Sequence, residues 1–97
     1  MHKFFVNIKR NGKGFFALRV RDNTVGQITI DLDGNKLKIL DTVDLAGTYL
    51  YPFRKLLLEK IVEYARMREL KIIPVSPFAQ RQFSSDPASY ADVWERA

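Results

Sequence analysis

Apolar and polar residues alternate along the first 43 residues, which is the period of half-buried β-strands. Turn-forming sequences interrupt the alternation at Asn11-Gly12, at residues 21–23 (RDN) and at residues 33–35 (DGN). Asn-Gly and Asp-Gly pairs are typical of tight turns that join antiparallel strands. The pattern therefore predicts an antiparallel four-stranded meander. Its strands are expected at residues 3–9, around 16–20, around 28–32 and from Lys36 to about Thr42.

The same alternation assigns the faces of the first three strands. Residues two apart point to the same side of a strand, so each strand should carry one apolar row. Polar residues such as Arg19 and Thr29 fall on the opposite side. The apolar rows are Phe4, Val6 and Ile8 in the first strand, Phe16, Leu18 and Val20 in the second, and Ile28, Ile30 and Leu32 in the third.

The spacing of apolar residues changes to three and four from Phe53 onward. This period indicates an amphipathic helix that ends near Glu69. Residues 71–75 (KIIPV) then form a short apolar run, which predicts a buried fifth strand. Because proline cannot donate a ladder hydrogen bond, Pro74 implies an edge position or a place where this strand separates from its neighbour.

Two helix starts of one type follow the fifth strand. Ser76-Pro77 and Asp86-Pro87 each place a capping residue before a proline at the first helical position. The predicted order is four strands, a long helix, a fifth strand and two short helices. No repeat or linker interrupts it, so we expect a single domain over residues 1–97.

The composition narrows the chemistry. A hydrophobic content of 46% and a charged content of 28% are ordinary for a globular protein. There is no cysteine and only one histidine, His2, so a disulfide framework, a thiolate metal site and Ser–His catalysis are not expected. We expect no metal. No apolar run is long enough for a membrane span or a signal peptide, so a cytoplasmic location without membrane contact is expected.

The net charge of +5 is a weak indication of polyanionic partners. The basic residues are spread along the chain, which is typical of a solvated surface. Residues 13–20 (KGFFALRV) partly match the aromatic strand of an RNA-recognition motif. The match fails at Phe16, where a small residue is required, and at Ala17, where an aromatic is required. The preceding βαβ segment is also missing, so nucleic acid is not favoured as a partner.

Residues 36–94 resemble the minimal single-domain members of the GNAT N-acetyltransferase superfamily. The similarity lies in residues 37–45 (LKILDTVDL), in residues 56–83 (LLLEKIVEYARMRELKIIPVSPFAQRQF) and in residues 86–93 (DPASYADV). In that family the fourth strand carries a His-Thr pair, the long helix ends in a Tyr-Ala-Arg turn, and a Cys-Pro-Phe sequence follows the fifth strand. The resemblance implies an α+β (α/β) GNAT-like acyl-CoA N-acyltransferase fold, with the fifth strand splayed from the fourth, and acetyl-CoA as cofactor.

The resemblance also implies where CoA or an acyl-CoA would bind. Its pantetheine would lie between the fourth and fifth strands, and its pyrophosphate would lie on the turn before the long helix. The residues carried over to these places as cofactor contacts are Thr42, Val43, Tyr49, Leu50, Tyr51, Pro52, Phe53, Arg54 and Lys55.

That turn departs from the family pattern Arg-Gly-x-Gly-x-Gly/Ala. Leu50, Pro52 and Arg54 occupy the three glycine-type positions. Glycine lets a phosphate approach the backbone closely, whereas proline removes an N–H donor. We therefore expect impaired or weak CoA binding, with Tyr49 and Tyr51 either covering the cleft or forming an exposed functional pair.

Two candidate catalytic positions depart from the family as well. Asp41 stands where the family has histidine, and Ser76 stands where it has cysteine. Asp41 is a candidate general base if it is buried, or it ends the strand by turning with Thr42. A serine nucleophile needs an adjacent base, so a helix-capping role explains Ser76 more fully.

Three functional hypotheses follow from these residues. The first is an acetyl-CoA-dependent N-acetyltransferase-like protein, as the resemblance implies. The alternative is a non-catalytic GNAT-fold protein whose cleft is plugged by its own aromatics and which binds a protein partner. The third, a basic nucleic-acid-associated module, rests on the net charge alone.

Overall fold

The computed structural model describes residues 2–44 and 53–95. They form a five-stranded sheet, in chain order, and three helices. The strands are β1 His2–Ile8, β2 Lys13–Val20, β3 Asn23–Asp33, β4 Lys36–Asp44 and β5 Lys71–Pro74. The helices are α1 Phe53–Met67, α2 Pro77–Ser85 and α3 Pro87–Tyr90.

The predicted element order and the α+β class are confirmed. Strands β1 to β4 are antiparallel, and β5 pairs in parallel with β4. Several boundaries differ from the predictions. Strands β2 and β3 begin earlier, at Lys13 and Asn23, β4 continues to Asp44, and α1 ends at Met67. None of these helices is both long and apolar enough to cross a bilayer.

Glycine shapes the first hairpin turn. The N–H of Lys9 donates to the carbonyl of Lys13, and the N–H of Gly12 donates to the carbonyl of Lys9, both at 2.9 Å. Gly12 has a φ of +89°, and a Cβ built there would lie 2.0 Å from the carbonyl oxygen of Leu32. Any other residue at this position would therefore displace the end of β3.

One face of the sheet forms the core. Helix α1 packs against β2, β3 and β4, and it covers the buried residues Phe16, Leu18, Ile28 and Ile30. The other face carries exposed side chains such as Asn7 and Asp41, although Ala17 on this face is buried. The predicted rows of β2 and β3 are confirmed, since their members are buried or pack against the core.

The row predicted for β1 does share one face, since Phe4 and Val6 pair with the core-facing Leu18 and Phe16, but the helices cover this face only partly. Phe4 and Ile8 pack against the core, whereas Val6 is 47% exposed. The reason is the position of β1 at the edge of the sheet, where α1 covers less of the surface. Lys60 of α1 reaches this edge and lies 5.0 Å from the ring centre of Phe4.

A β-bulge divides β4 into two parts. Thr29 pairs with Asp41 and Ile30 pairs with Ile39, so Leu40 is an extra residue between them. Strand β5 pairs with β4 only before this bulge, from Lys36 to Ile39. The separation of β4 from β5 that Pro74 and the family resemblance predicted is therefore present.

Candidate functional site

The parallel strands β4 and β5 diverge and leave an opening, which we call the β4–β5 opening. The N–H groups of Val75 and Ser76 both donate to the carbonyl of Ile39, at 3.0 Å each, and these bonds mark the last contact between the strands. Beyond it, residues 41–44 of β4 pair with β3, and no described residue of β5 pairs with residues 40–44. The candidate site is built around this point.

Two helices begin beside the β4–β5 opening. Helix α2 starts at Pro77, directly after the last contact between the strands. The guanidinium carbon of Arg54, in the first turn of α1, lies 4.9 Å from the ring centre of Phe78 in the first turn of α2. The N-termini of α1 and α2 are therefore neighbours. Helix N-termini and an arginine together favour negatively charged groups.

Thr42 lies on the wall of the opening with an unpaired hydroxyl. It pairs across the sheet with the fully buried Ile28, so its side chain is on the face covered by the helices. Among the described residues, the Thr42 Oγ1 is the buried side-chain polar atom that has no hydrogen-bond partner. A buried hydroxyl without a partner costs about 1–3 kcal/mol. A partner supplied by a ligand would remove this cost.

Asp41 lies on the opposite face of the sheet from Thr42. It pairs with Thr29 inside β4 and is exposed. The interpretation that Asp41 ends the strand by turning with Thr42 is wrong, because the bulge at Leu40 lets β4 continue to Asp44. A role as general base required Asp41 to be buried. It is not buried, since no described helix covers this face.

Ser76 caps α2, as its sequence predicted. Its backbone is extended, with φ −67° and ψ 147°, and its Oγ accepts a hydrogen bond from the N–H of Ala79 at 3.2 Å. The side chain is buried, at 5% exposure. Because the hydroxyl is engaged in the cap, the structure favours this role over that of a nucleophile.

The second Xaa-Pro sequence behaves differently. Asp86 occupies the N-cap position of α3, but its side chain accepts no capping hydrogen bond from the helix backbone. Its backbone has φ −146° and ψ 68°, which departs from the extended geometry of Ser76. The Asp86 carboxylate instead accepts a hydrogen bond from the Ser89 hydroxyl at 2.6 Å. The predicted capping contact of Asp86 with the backbone is therefore wrong.

The predicted cofactor contacts around the α1 start fall into two groups. Tyr49, Leu50, Tyr51 and Pro52 lie outside the described residues, so their roles stay predictions, and Val43 is described only as a member of β4. The other three begin α1 and point in different directions. Phe53 is buried in the core, Arg54 is exposed beside Phe78, and Lys55 is exposed on a groove between α1 and the α2–α3 pair.

That groove, with a volume of about 600 Å³, is lined by charged and polar side chains. Adjacent residues on a helix point about 100° apart, which explains why Arg54 and Lys55 face different places. Their expected shared place beside a pyrophosphate stays a prediction.

An arginine clamp near this groove was not predicted from the sequence. The Arg66 guanidinium donates to both carboxylate oxygens of Asp92, at 2.8 and 3.2 Å, and to the carbonyl of Ser89 at 2.6 Å. These hydrogen bonds raise the pKa of Arg66 and lower the pKa of Asp92. Burial raises the pKa of the nearby Tyr90 hydroxyl. Arg66 is the arginine of the Tyr-Ala-Arg turn that the family resemblance includes, and this turn is the sequence feature that could have indicated a role for Arg66.

The clamp has a structural role. It ties the end of α1 to the segment after α3, and both side chains of the pair are largely exposed. Because the pKa of Asp92 is lowered, its small stabilisation is present above the ordinary carboxyl pKa and is lost as the pH falls through the folded-state pKa. Within residues 2–44 and 53–95, no three potential metal ligands lie together.

Solved structures of acetyltransferases share this architecture. A GCN5-like protein from Staphylococcus aureus, described as a candidate N-acetyltransferase, aligns with a TM-score of 0.65 at 26% identity, over 96% of this chain and 89% of that chain. An acetyltransferase of the GNAT family from Staphylococcus aureus Mu50 aligns with a TM-score of 0.63 at 22% identity, over 82% of this chain and 55% of that chain. No protein-family model and no curated protein matches the sequence.

These likenesses define the class of the molecule. The chain has a GNAT fold and is N-acetyltransferase-like in structure. The second alignment supports the fold alone, and this chain spans about half the length of that protein. The resemblance read from residues 36–94 is thus confirmed at the level of the fold.

Proposed function

We propose that this protein is an N-acetyltransferase-like protein that binds acetyl-CoA weakly in the β4–β5 opening. The observation that carries the proposal is the unpaired, buried Thr42 hydroxyl on the wall of this opening. A wall built only for packing would carry valine at this position, because valine has nearly the same shape and no hydroxyl to satisfy.

The residues present fit a ligand with an extended amide-containing arm and phosphates. Residues 40–44 of β4 leave one edge unpaired with β5, so backbone donors and acceptors are available to such an arm. Thr42 would donate its hydroxyl to a carbonyl of the ligand. Arg54 and the adjacent helix N-termini would hold the phosphate groups by charge and by backbone N–H donors. Acetyl-CoA, when bound, supplies an acetyl thioester for transfer to an amine.

The affinity is expected to be low, and the turn before α1 is the reason. Its glycine-type positions hold Leu50, Pro52 and Arg54, so few backbone N–H groups can approach a phosphate. We expect a Kd of about 100 µM or weaker, which corresponds to about −5.5 kcal/mol.

Asp41 is the residue of this chain that would attract an amine substrate. Asp41 is exposed on the face opposite Thr42, where a carboxylate attracts a protonated amine from solvent. Ser76 takes no part in this scheme, because its hydroxyl accepts the cap hydrogen bond of Ala79. The transfer requires positioning and proton removal rather than a covalent enzyme intermediate.

Calorimetric titration with acetyl-CoA tests the proposal, with Thr42→Val as the main variant. Loss of one hydrogen bond, about 0.5–1.5 kcal/mol, should weaken binding about two- to twelvefold. The same substitution should leave the protein equally stable or more stable, since it removes an unsatisfied buried hydroxyl.

Thr29→Val is the matched control, because it makes the same change on the other face of the sheet. Its affinity for acetyl-CoA should equal that of the wild type. Equal affinity of the Thr42 variant would remove Thr42 from the site. Absence of heat with wild type at millimolar acetyl-CoA would favour the alternative, a non-catalytic GNAT-fold protein whose opening is filled by its own residues.

A further inference from the structure

The two edges of the sheet differ in whether other residues pair with them. At the β5 edge, the N–H of Ile72 donates to the carbonyl of Val93 at 2.6 Å, and the N–H of Glu95 donates to the carbonyl of Ile72 at 2.9 Å. Trp94 forms a parallel bridge with Ile72 between these bonds. The β5 edge is therefore covered by residues 93–95. In the described part of the chain, nothing pairs with the outer edge of β1.

The hydrogen bonds of the first hairpin show which backbone groups of β1 are free. The N–H of Lys9 donates to the carbonyl of Lys13, and these residues continue the β1–β2 register. Because hydrogen-bonded pairs alternate in an antiparallel ladder, the odd-numbered residues of β1 bond to β2. The N–H and C=O groups of Phe4, Val6 and Ile8 consequently point outward, away from the sheet.

This edge carries exposed apolar side chains, and of the usual protections against pairing it has a charged residue, Lys3, but neither a proline nor a bulge. Phe5 is 42% exposed and Val6 is 47% exposed, on opposite faces of the same strand. Strand β1 contains no proline, and its register with β2 has no bulge. Natural edge strands are usually blunted by such features, since an unprotected edge pairs with another strand.

We propose that β1 pairs antiparallel with β1 of a second copy of this chain, about a two-fold axis at Phe5. This register overlaps the whole of His2–Ile8 and places Phe5 opposite Phe5 of the second copy. Phe4 then lies opposite Val6 of the second copy, and the outward backbone groups of these residues form the new hydrogen bonds. The two sheets become one continuous sheet with an isologous interface.

The full overlap of the strand and its charges together select this register. A two-fold axis at Phe5 places Lys3 opposite the neutral Asn7, whereas an axis at Val6 would place Lys3 opposite Lys9. Like charges directly opposite each other are destabilising. Arg19 lies with its guanidinium carbon 4.9 Å from the ring centre of Phe5, so an arginine would flank each side of the paired phenylalanines.

The absence of cysteine from the chain allows a direct test of the pairing. Phe5 would form a non-hydrogen-bonded pair with its own counterpart, with Cα atoms about 4.5 Å apart, within the range that a disulfide spans. The variant Phe5→Cys should therefore form a covalent dimer under mild oxidation. Asn7→Cys is the matched control, because Asn7 faces Lys3 in this register. It should remain monomeric on a non-reducing gel.

Proline provides a second test that spares the fold. The N–H of Val6 points outward, so Val6→Pro removes an interface donor without breaking the β1–β2 ladder. Sedimentation of the full chain over a range of concentrations should show a monomer–dimer equilibrium for wild type and for Val6→Thr, which keeps the N–H. Val6→Pro should stay monomeric at tenfold higher concentration, and its midpoint of thermal unfolding should match that of wild type at concentrations where wild type is monomeric.

The salt dependence of association distinguishes self-association through this interface from binding of a polyanion. Each copy carries a net charge of +5, so self-association should strengthen as salt screens the repulsion. Binding of single-stranded nucleic acid to the same face would weaken with salt. The proposal is overturned by a wild type that is monomeric under all these conditions, or by equal cross-linking of Phe5→Cys and Asn7→Cys. Undiminished dimerisation of Val6→Pro would also overturn it.

Discussion

The two halves of β4 differ in what surrounds them. Residues 36–39 pair with β3 on one side and β5 on the other, and both Leu37 and Ile39 are fully buried. Residues 41–44 pair with β3 alone among the described strands, and they carry the exposed Asp41 and the unpaired hydroxyl of Thr42. A single bulge residue, Leu40, separates a structural half from a half that is open to a ligand.

The comparison indicates how a small sheet can hold both a core and a binding site. In the paired half, every change of volume is transmitted to neighbours on both sides, because interiors are close-packed. In the open half, one side of the strand is available, so polar groups there can be satisfied by a ligand. Substitutions in the paired half should therefore change stability, and those in the open half should change ligand binding.

The largest effect is expected at Ile39 in the paired half. Ile39→Ala should lower the free energy of unfolding by about 2–5 kcal/mol, because it leaves a cavity in the core under α1. Denaturant titration measures this change. Leu40→Ala, at the half-buried bulge residue, is the control and should cost less. Equal costs for the two variants would show that the boundary does not lie at the bulge.

The next effect is expected at Ser76, which joins the end of the paired half to α2. Ser76→Ala should cost about 1 kcal/mol, since the N–H of Ala79 loses its acceptor, and Ser76→Asp should cost much less. Asp86→Ala should cost less than Ser76→Ala, because Asp86 makes no backbone capping bond. Thermal unfolding compares the three. A midpoint for Ser76→Ala equal to that of wild type would contradict the capping role.

Periodicity predicted the faces of β2 and β3 because each lies under a helix along its buried row. It also placed Val6 on the correct face, but alternation reports which residues share a face and not whether a helix covers it, so the exposure of Val6 was not predicted. The bulge at Leu40 escaped detection because an apolar bulge residue leaves no mark on the pattern, and β4 consequently continued past Thr42.

The site could be located from the sequence only through the family resemblance. The separation of β4 and β5 followed from Pro74 and that resemblance, and the Ser76 cap followed from its Pro77 neighbour. The clamp of Arg66 on Asp92 joins residues 26 apart in sequence, and a basic residue in the last turn of a helix is ordinarily read as solvated surface. Local patterns carry no information about such distant partners.

A smaller effect separates the two cations at the start of α1. Arg54→Gln should weaken acetyl-CoA binding by a few fold at low salt, because Arg54 lies beside the start of α2. Lys55→Gln should change the affinity less, because Lys55 faces the groove between α1 and the α2–α3 pair. Calorimetry at low and high salt measures both. A larger effect of Lys55 would place the phosphates in the groove.

The smallest effect on stability, and the sharpest test of the comparison, is expected at Asp41. Asp41→Asn keeps the shape of the side chain and should change the free energy of unfolding by less than about 0.5 kcal/mol, as is usual for exposed positions. Its affinity for acetyl-CoA should also be unchanged, because Asp41 and Thr42 lie on opposite faces of β4.

If the protein transfers acetyl groups, kcat/KM for a cationic amine should fall by only a few fold, since an exposed carboxylate is screened by solvent. A loss of about a hundredfold or more would be the size expected for a general base. It would mean that Asp41 becomes enclosed when the ligands bind, and that the open half of β4 is completed by its substrates.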